Sequence, residues 1–142
     1  MDVARFKELP VMGIVRGIRK EAIEPLLEAV VSAGLKTIEI TMNTPGVDKL
    51  LLKLKKKADN KLTIGAGTVL TLDDLHKALD SGASFIVLPT FVKEVVEYCV
   101  KREIPVFPGA LTPQEIYTAW RGGATMVKVF PAKFFGHLIL RK

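Results

Sequence analysis

Two ionisable residues stand in runs that otherwise read as buried strands. Glu39 is centred in Ile38-Glu39-Ile40, and Lys128 in Met126-Val127-Lys128-Val129-Phe130. A charge inside a parallel sheet loses several kcal/mol of hydration unless it is paired or neutralised. Desolvation lowers the pKa of a lysine, and the neutral amine can then attack a carbonyl and form a Schiff base. A carboxylate beside it can move protons through the carbinolamine and the enamine. The pair therefore points to covalent chemistry on a carbonyl compound. The competing expectation is structural: in a sheet that stops at six strands, Lys128 would guard an edge against pairing with another chain.

Such a pair has to be held by the elements around it. Short apolar runs begin near Val11, Thr37, Leu62, Phe85, Pro105 and Met126, about 20 to 26 residues apart. Most are rich in Val, Ile or Phe, as strands buried on both faces are. Amphipathic stretches lie between them. Ile23, Leu26, Leu27, Val30 and Val31 share one helical face, and Val92, Val95, Val96, Cys99 and Val100 repeat the pattern. Helix starts are written at Thr112-Pro113-Gln114-Glu115, more weakly at Thr71-Leu72-Asp73-Asp74, and at Thr44-Pro45. Gly34, Gly82 and Gly122 read as left-handed helix stops. This alternation means βαβ units and a parallel sheet, either opened flat or curled toward a barrel. In an eight-stranded barrel the second and sixth strands share a layer of inward side chains, so Glu39 and Lys128 can face each other across the lumen.

Further polar residues fall where strands end, at the rim where such folds build their sites. They are Arg16, Thr41, Asn43, Thr68, Thr90 and Thr112. Arg16 can hold a carboxylate by a two-pronged hydrogen bond. Thr41, Thr44, Thr90 and Thr112 read equally as helix caps. Gly65-Ala66-Gly67-Thr68 lacks the third glycine of a dinucleotide fingerprint, Leu70 standing in its place, and suits close backbone approach to a small ligand. His76 and His137 are far apart, so no metal site is expected. Cys99 reads as core, and Trp120 as packing.

Composition narrows the class. The chain has 142 residues, 49% of them apolar and 25% charged, which fits a single soluble domain over 1–142. No apolar run is long enough to span a membrane, and MDVARFKELP lacks the apolar core of a signal peptide. One cysteine allows no internal disulfide, and the expected setting is the cytoplasm. The net charge of +6 is concentrated in Lys53, Lys55, Lys56, Lys57 and Lys61. No aromatic residue interleaves them, so they read as the solvated end of a helix rather than a nucleic-acid surface.

Six motifs carry a resemblance. They are Ile14-Val15-Arg16-Gly17-Ile18, Ile38-Glu39-Ile40-Thr41, Gly65-Ala66-Gly67-Thr68-Val69, Phe85-Ile86-Val87-Leu88-Pro89, Pro108-Gly109-Ala110-Leu111-Thr112-Pro113-Gln114-Glu115 and Val127-Lys128-Val129-Phe130-Pro131-Ala132. In order and at these spacings the chain resembles the class I aldolases acting on 2-keto-3-deoxy-6-phosphogluconate and 4-hydroxy-2-oxoglutarate. The resemblance implies a (β/α)8 barrel, usually a homotrimer, with no cofactor and no metal. It implies Lys128 as the Schiff-base lysine and Glu39 as the proton-transfer residue. Arg16, Thr68 and Pro89 would line the pyruvate end of the pocket, and Phe130 would pack beside the imine. The reaction implied is reversible cleavage of a 2-keto-4-hydroxy acid to pyruvate and an aldehyde, commonly glyceraldehyde 3-phosphate or glyoxylate. Some members carry an arginine where this chain has Asn43. Here Arg16 would be the main carboxylate ligand, as in the galactonate-type enzymes. The family pattern fades after Gly136, whereas members continue through strands seven and eight and a glycine-rich phosphate site. The expectation is a barrel truncated after its sixth strand. A partial barrel that only binds another chain is the alternative. A nucleotide-binding domain is disfavoured by Leu70.

Overall fold

The computed structural model describes residues 3–58 and 61–134. The elements in order are α1 (Val3–Glu8), β1 (Gly13–Val15), α2 (Ile23–Ser32), β2 (Thr37–Thr41), α3 (Val47–Ala58), β3 (Thr63–Gly67), α4 (Leu72–Asp80), β4 (Ile86–Val87), α5 (Lys93–Lys101), β5 (Val106–Phe107), β6 (Gly109–Ala110), α6 (Pro113–Arg121) and β7 (Lys128–Val129). His137 and the rest of the tail lie outside the described residues.

β1 to β5 form one parallel sheet in chain order, and β6 pairs with β7, also in parallel. β5 and β6 are a single run interrupted at Pro108, which has no N–H to give to a ladder. Its carbonyl still accepts from the Lys128 amide at 2.9 Å, and Val106 accepts from Thr125 at 3.0 Å. Each run is thus flanked by its predecessor in the chain. A doubly wound sheet reverses its order at a switch point; this one does not. In a flat sheet the second and sixth strands would stand about 19 Å apart, four spacings of ~4.8 Å. Yet the side chains of Glu39 on β2 and Lys128 on β7 approach to 3.8 Å. The sheet is curled, and the fold is a partial barrel of the (β/α)8 type.

Strand alternation divides the apolar residues between two cores. Outside the sheet, Ile38, Ile40, Ile64, Ala66, Ile86 and Val106 pack with helix residues such as Leu27, Leu51, Leu54, Leu75, Val96 and Cys99. Cys99 is fully buried, and burial pushes its thiol up to about 12. Inside the curl, Phe85, Val87 and Phe107 gather with Met12 and Met126, the two phenylalanine rings 5.6 Å apart.

The helix boundaries follow local chemistry. Thr112 and Glu115 form the full capping box at α6, and Thr71 accepts from the Asp74 amide at α4. α3 begins at Val47, two residues beyond Pro45, because a turn through Gly46 (φ 69°) comes first. Gly34 (φ 78°) and Gly82 (φ 90°) are left-handed stops, but at α6 that role falls to Gly123 (φ 89°), while Gly122 stays helical at φ −71°. Two consecutive glycines leave the stop free to move by one residue. α1 had no signature in the sequence, since a six-residue helix is too short to show a period and buries no side chain completely.

Two surface expectations had different outcomes. Lys53 and Lys57 on α3 reach Glu24 on α2 at 2.7 and 2.8 Å, and their hydrogen bonds lower its carboxyl to about 2. Lys55, Lys56 and Lys57 are exposed in the last turn of α3 and Lys61 is exposed beyond it, so the cluster occupies a helix end and the chain that follows, as its composition suggested. Trp120 is instead 63% exposed rather than packed. Ala119 is the buried residue of α6, and a helix turns about 100° per residue, which carries Trp120 off that line. Among the described residues no helix is long and apolar enough to cross a membrane, and no three His, Cys, Asp or Glu side chains gather as metal ligands.

The barrel wall is tight where β6 passes the end of β4. A Cβ on Gly109 would stand 2.1 Å from the Pro89 carbonyl oxygen and 2.9 Å from the Thr90 amide nitrogen, both backbone atoms. Gly109→Ala is therefore expected to cost at least the ~1–3 kcal/mol typical of overpacking, read as a drop in urea midpoint. An unchanged midpoint would show that this contact is loose.

Candidate active site

β2 places Glu39 at its centre, with Ile38 and Ile40 facing the helices and Glu39 facing the lumen. All five residues of the strand are buried, and Glu39 is 1% exposed. Its neighbour in register on β3 is Gly65, and Thr41 pairs with Gly67. The lumen space above these two glycines is occupied by this chain's own side chains. The Phe85 ring fills the place of a Cβ on Gly65, and the Glu39 carboxyl carbon lies 2.7 Å from where a Cβ on Gly67 would sit. The glycines admit an aromatic ring and a carboxyl group, which differs from the backbone-to-ligand role expected of them.

Lys128 faces the same space from β7. Its side chain is 27% exposed, so it is only partly desolvated. Nζ stands 3.8 Å from Glu39 Oε1 and 5.3 Å from the centre of the Phe130 ring. Glu39 Oε2 is buried and has no hydrogen-bond partner among the described residues. Burial raises the Glu39 carboxyl above its ordinary value, with Lys128 and then Arg16 offsetting part of the rise. The group therefore holds its proton to higher pH than an exposed glutamate does.

The two residues open onto a cavity of about 220 Å³. Its wall is otherwise apolar, built from Phe6, Met12, Ile14, Val87, Phe107 and Met126 among others. That wall was not singled out in the sequence, although Ile14 is opposite Glu39 in register and Phe85, Val87 and Phe107 alternate with outward residues. Of the other expected site residues, Phe130 is brought beside Lys128, and Arg16 is near enough for its charge to act on Glu39. Thr68 and Pro89 end β3 and β4 at the same rim but are not part of the cavity wall. Thr68 has φ 58°, a left-handed conformation unusual for a β-branched residue. It is held between a 2.7 Å bond from the Met42 amide to the Gly67 carbonyl and a 3.3 Å bond from the Val69 amide to the Val87 carbonyl. Asn43 is exposed in the turn after β2.

A lysine and a glutamate facing each other across the lumen of a parallel, singly wound sheet define the class: a (β/α)8-type barrel with an amine and a carboxyl group in its interior. The chain belongs to the KDPG and KHG aldolase family, whose profile matches residues 3–142. It is 33% identical over 132 residues to the 2-dehydro-3-deoxy-phosphogluconate aldolase of Treponema pallidum, covering 93% of this chain and 61% of that protein. It is also 33% identical over 129 residues to the 2-dehydro-3-deoxy-6-phosphogalactonate aldolase of Escherichia coli, covering 91% of this chain and 63% of that one. Among solved structures it resembles the KDPG aldolase of Legionella pneumophila with pyruvate captured at low pH as a covalent carbinolamine intermediate. The TM-score is 0.82 at 32% identity, over 89% of this chain and 61% of that chain. The chain thus spans less than two thirds of the length of these relatives.

The raised Glu39 carboxyl sets a pH dependence. Its folded-state value lies above the ordinary 4.5, so the cost of holding a buried charge is absent while the group is protonated in both states. Stability is lost as pH rises through the folded-state value. Glu39→Gln removes that loss. Melts of variant and parent should coincide near pH 4, and the variant should gain on the parent toward pH 8. A flat gap would mean that Lys128 and Arg16 cancel the cost of burial.

Proposed function

We propose that the chain is a class I aldolase that cleaves a 2-keto-4-hydroxy acid reversibly to pyruvate and an aldehyde. The observation that carries this reading is the 3.8 Å approach of Lys128 Nζ to Glu39 Oε1 inside an apolar cavity. Family membership supports it, as does the carbinolamine captured in the Legionella relative.

In this reading the neutral Lys128 amine attacks the C2 carbonyl, forming a carbinolamine that loses water to give an iminium ion. Glu39, whose burial favours the protonated form, supplies a proton to the departing oxygen. The resulting carboxylate takes the proton of the C4 hydroxyl. The C3–C4 bond breaks, releasing the aldehyde and leaving an enamine on Lys128. Glu39 returns the proton to C3, and water hydrolyses the imine to free pyruvate and the lysine amine. Arg16 holds the keto-acid carboxylate, Thr68 and Pro89 stand at the rim toward the pyruvate end, and Phe130 packs beside the imine. The substrate is a small keto acid such as 2-keto-3-deoxy-6-phosphogluconate or 4-hydroxy-2-oxoglutarate. Each step uses groups of this chain, and the reading calls for no cofactor or metal. Assembly as a homotrimer belongs to the same reading, with Tyr117 and Trp120, 61% and 63% exposed on α6, offering apolar surface. A single buried cysteine suits the cytoplasm.

Pyruvate with borohydride should add a covalent label at Lys128, located by peptide mass spectrometry, and Lys128→Ala should abolish it. Labelling that survives that substitution unchanged would sink the assignment. In Glu39→Gln, turnover should fall roughly 10²- to 10⁴-fold, the usual contribution of a general acid-base group.

A further inference from the structure

The turns that leave β1 and β2 lie side by side because the strands pair in parallel, with Val15 opposite Ile40. Arg16 therefore stands level with Thr41, the next residue of β2. The following residue, Gly17, has φ 62°, so the backbone turns out of the strand direction immediately after Arg16. Its amide leaves the β-ladder and donates instead to Thr44 Oγ1 at 3.1 Å, a residue 27 positions further along the chain.

Thr44 is itself fixed. It is 2% exposed, its amide donates to the Thr41 carbonyl at 2.9 Å, and its carbonyl accepts from the Val47 amide at 3.2 Å. Its hydroxyl also lies 3.1 Å from that of Thr41. Thr41 is fully buried and shares the face of β2 that carries Glu39. A continuous chain of contacts thus runs from the strand of Glu39 through Thr41 and Thr44 to the peptide that follows Arg16. The Thr44 hydroxyl does not cap α3. It ties together two turns that bear different parts of the site.

We propose that Thr44 is a positioning residue: its hydroxyl fixes the peptide after Arg16, so that the guanidinium is held where it can take the carboxylate of a keto acid bound at Lys128. This rests on the aldolase reading. The influence of Arg16 on the Glu39 carboxyl supports it, since it shows the arginine's charge to be within range of the site. Valine at position 44 would keep the shape and branching of threonine but could not accept from Gly17.

The test is reductive trapping at Lys128 over a range of pyruvate concentrations, with acetone as a second probe that has the carbonyl but no carboxylate. Thr44→Val should raise the half-saturating pyruvate concentration roughly 3- to 10-fold, as expected for the loss of one hydrogen bond, while Thr44→Ser stays within about twofold of the parent. Acetone trapping should be unchanged in both. In an Arg16→Ala background Thr44→Val should have no further effect, because the two residues act as one unit. If Thr44→Val fails to give a cooperative melt, Thr44→Ala replaces it in the same series. The proposal is overturned if pyruvate half-saturation does not move, if acetone trapping is lost in parallel, or if the effect persists undiminished without Arg16. A parent chain that traps no pyruvate at Lys128 overturns the aldolase reading and this inference together. A parent that traps normally beside an indifferent Thr44→Val overturns this inference alone.

Discussion

The site depends on the burial of one carboxyl group. Glu39 sits at the centre of a fully buried strand, where an isolated negative charge would be costly, and among the described residues Lys128 and Arg16 offset part of that cost. Lys128 comes from the sixth apolar run, four strands away along the sheet, so it reaches Glu39 only because the sheet curls. The carboxyl also needs room, and Gly67 leaves it. Curvature, the missing side chain and the cation across the lumen are three parts of one arrangement.

The two faces of the sheet divide the work. The outer face is sealed by helices, with Ile40, Leu54, Leu75, Val95 and Cys99 all fully buried. Burying an aliphatic side chain contributes roughly 1.5–3 kcal/mol, and this layer holds most of the chain's large aliphatic side chains. The inner face is only partly filled, by Phe85, Val87 and Phe107, and keeps a cavity beside its charged residues. Stability and chemistry are therefore drawn from opposite faces of the same strands. Alternation along β2 separates them residue by residue.

Much of this was legible in one dimension because it rests on local contradictions. A charge in an apolar run is visible without a structure, and Glu39 and Lys128 were found that way. The positions of the six runs and the cap at Thr112 were equally local. What escaped depends on register between strands or on rotation around a helix. The glycines of β3 looked available to a ligand, because nothing in the sequence shows that Phe85 and Glu39 lie over them. Trp120 looked like packing until α6 proved to bury Ala119 instead. The stop after α6 moved by one glycine. The bond from Gly17 to Thr44 joins residues whose separation carries no pattern.

Cys99 has a practical consequence. It is the chain's sole cysteine, it is fully buried, and burial pushes its thiol up to about 12. Alkylating reagents attack thiolates that they can reach, so the native chain is expected to give little background in maleimide chemistry. A cysteine introduced at an exposed position of α2 or α6 would take up a spin label or fluorophore alone. Distances across the barrel could then be followed spectroscopically with the wild-type core intact.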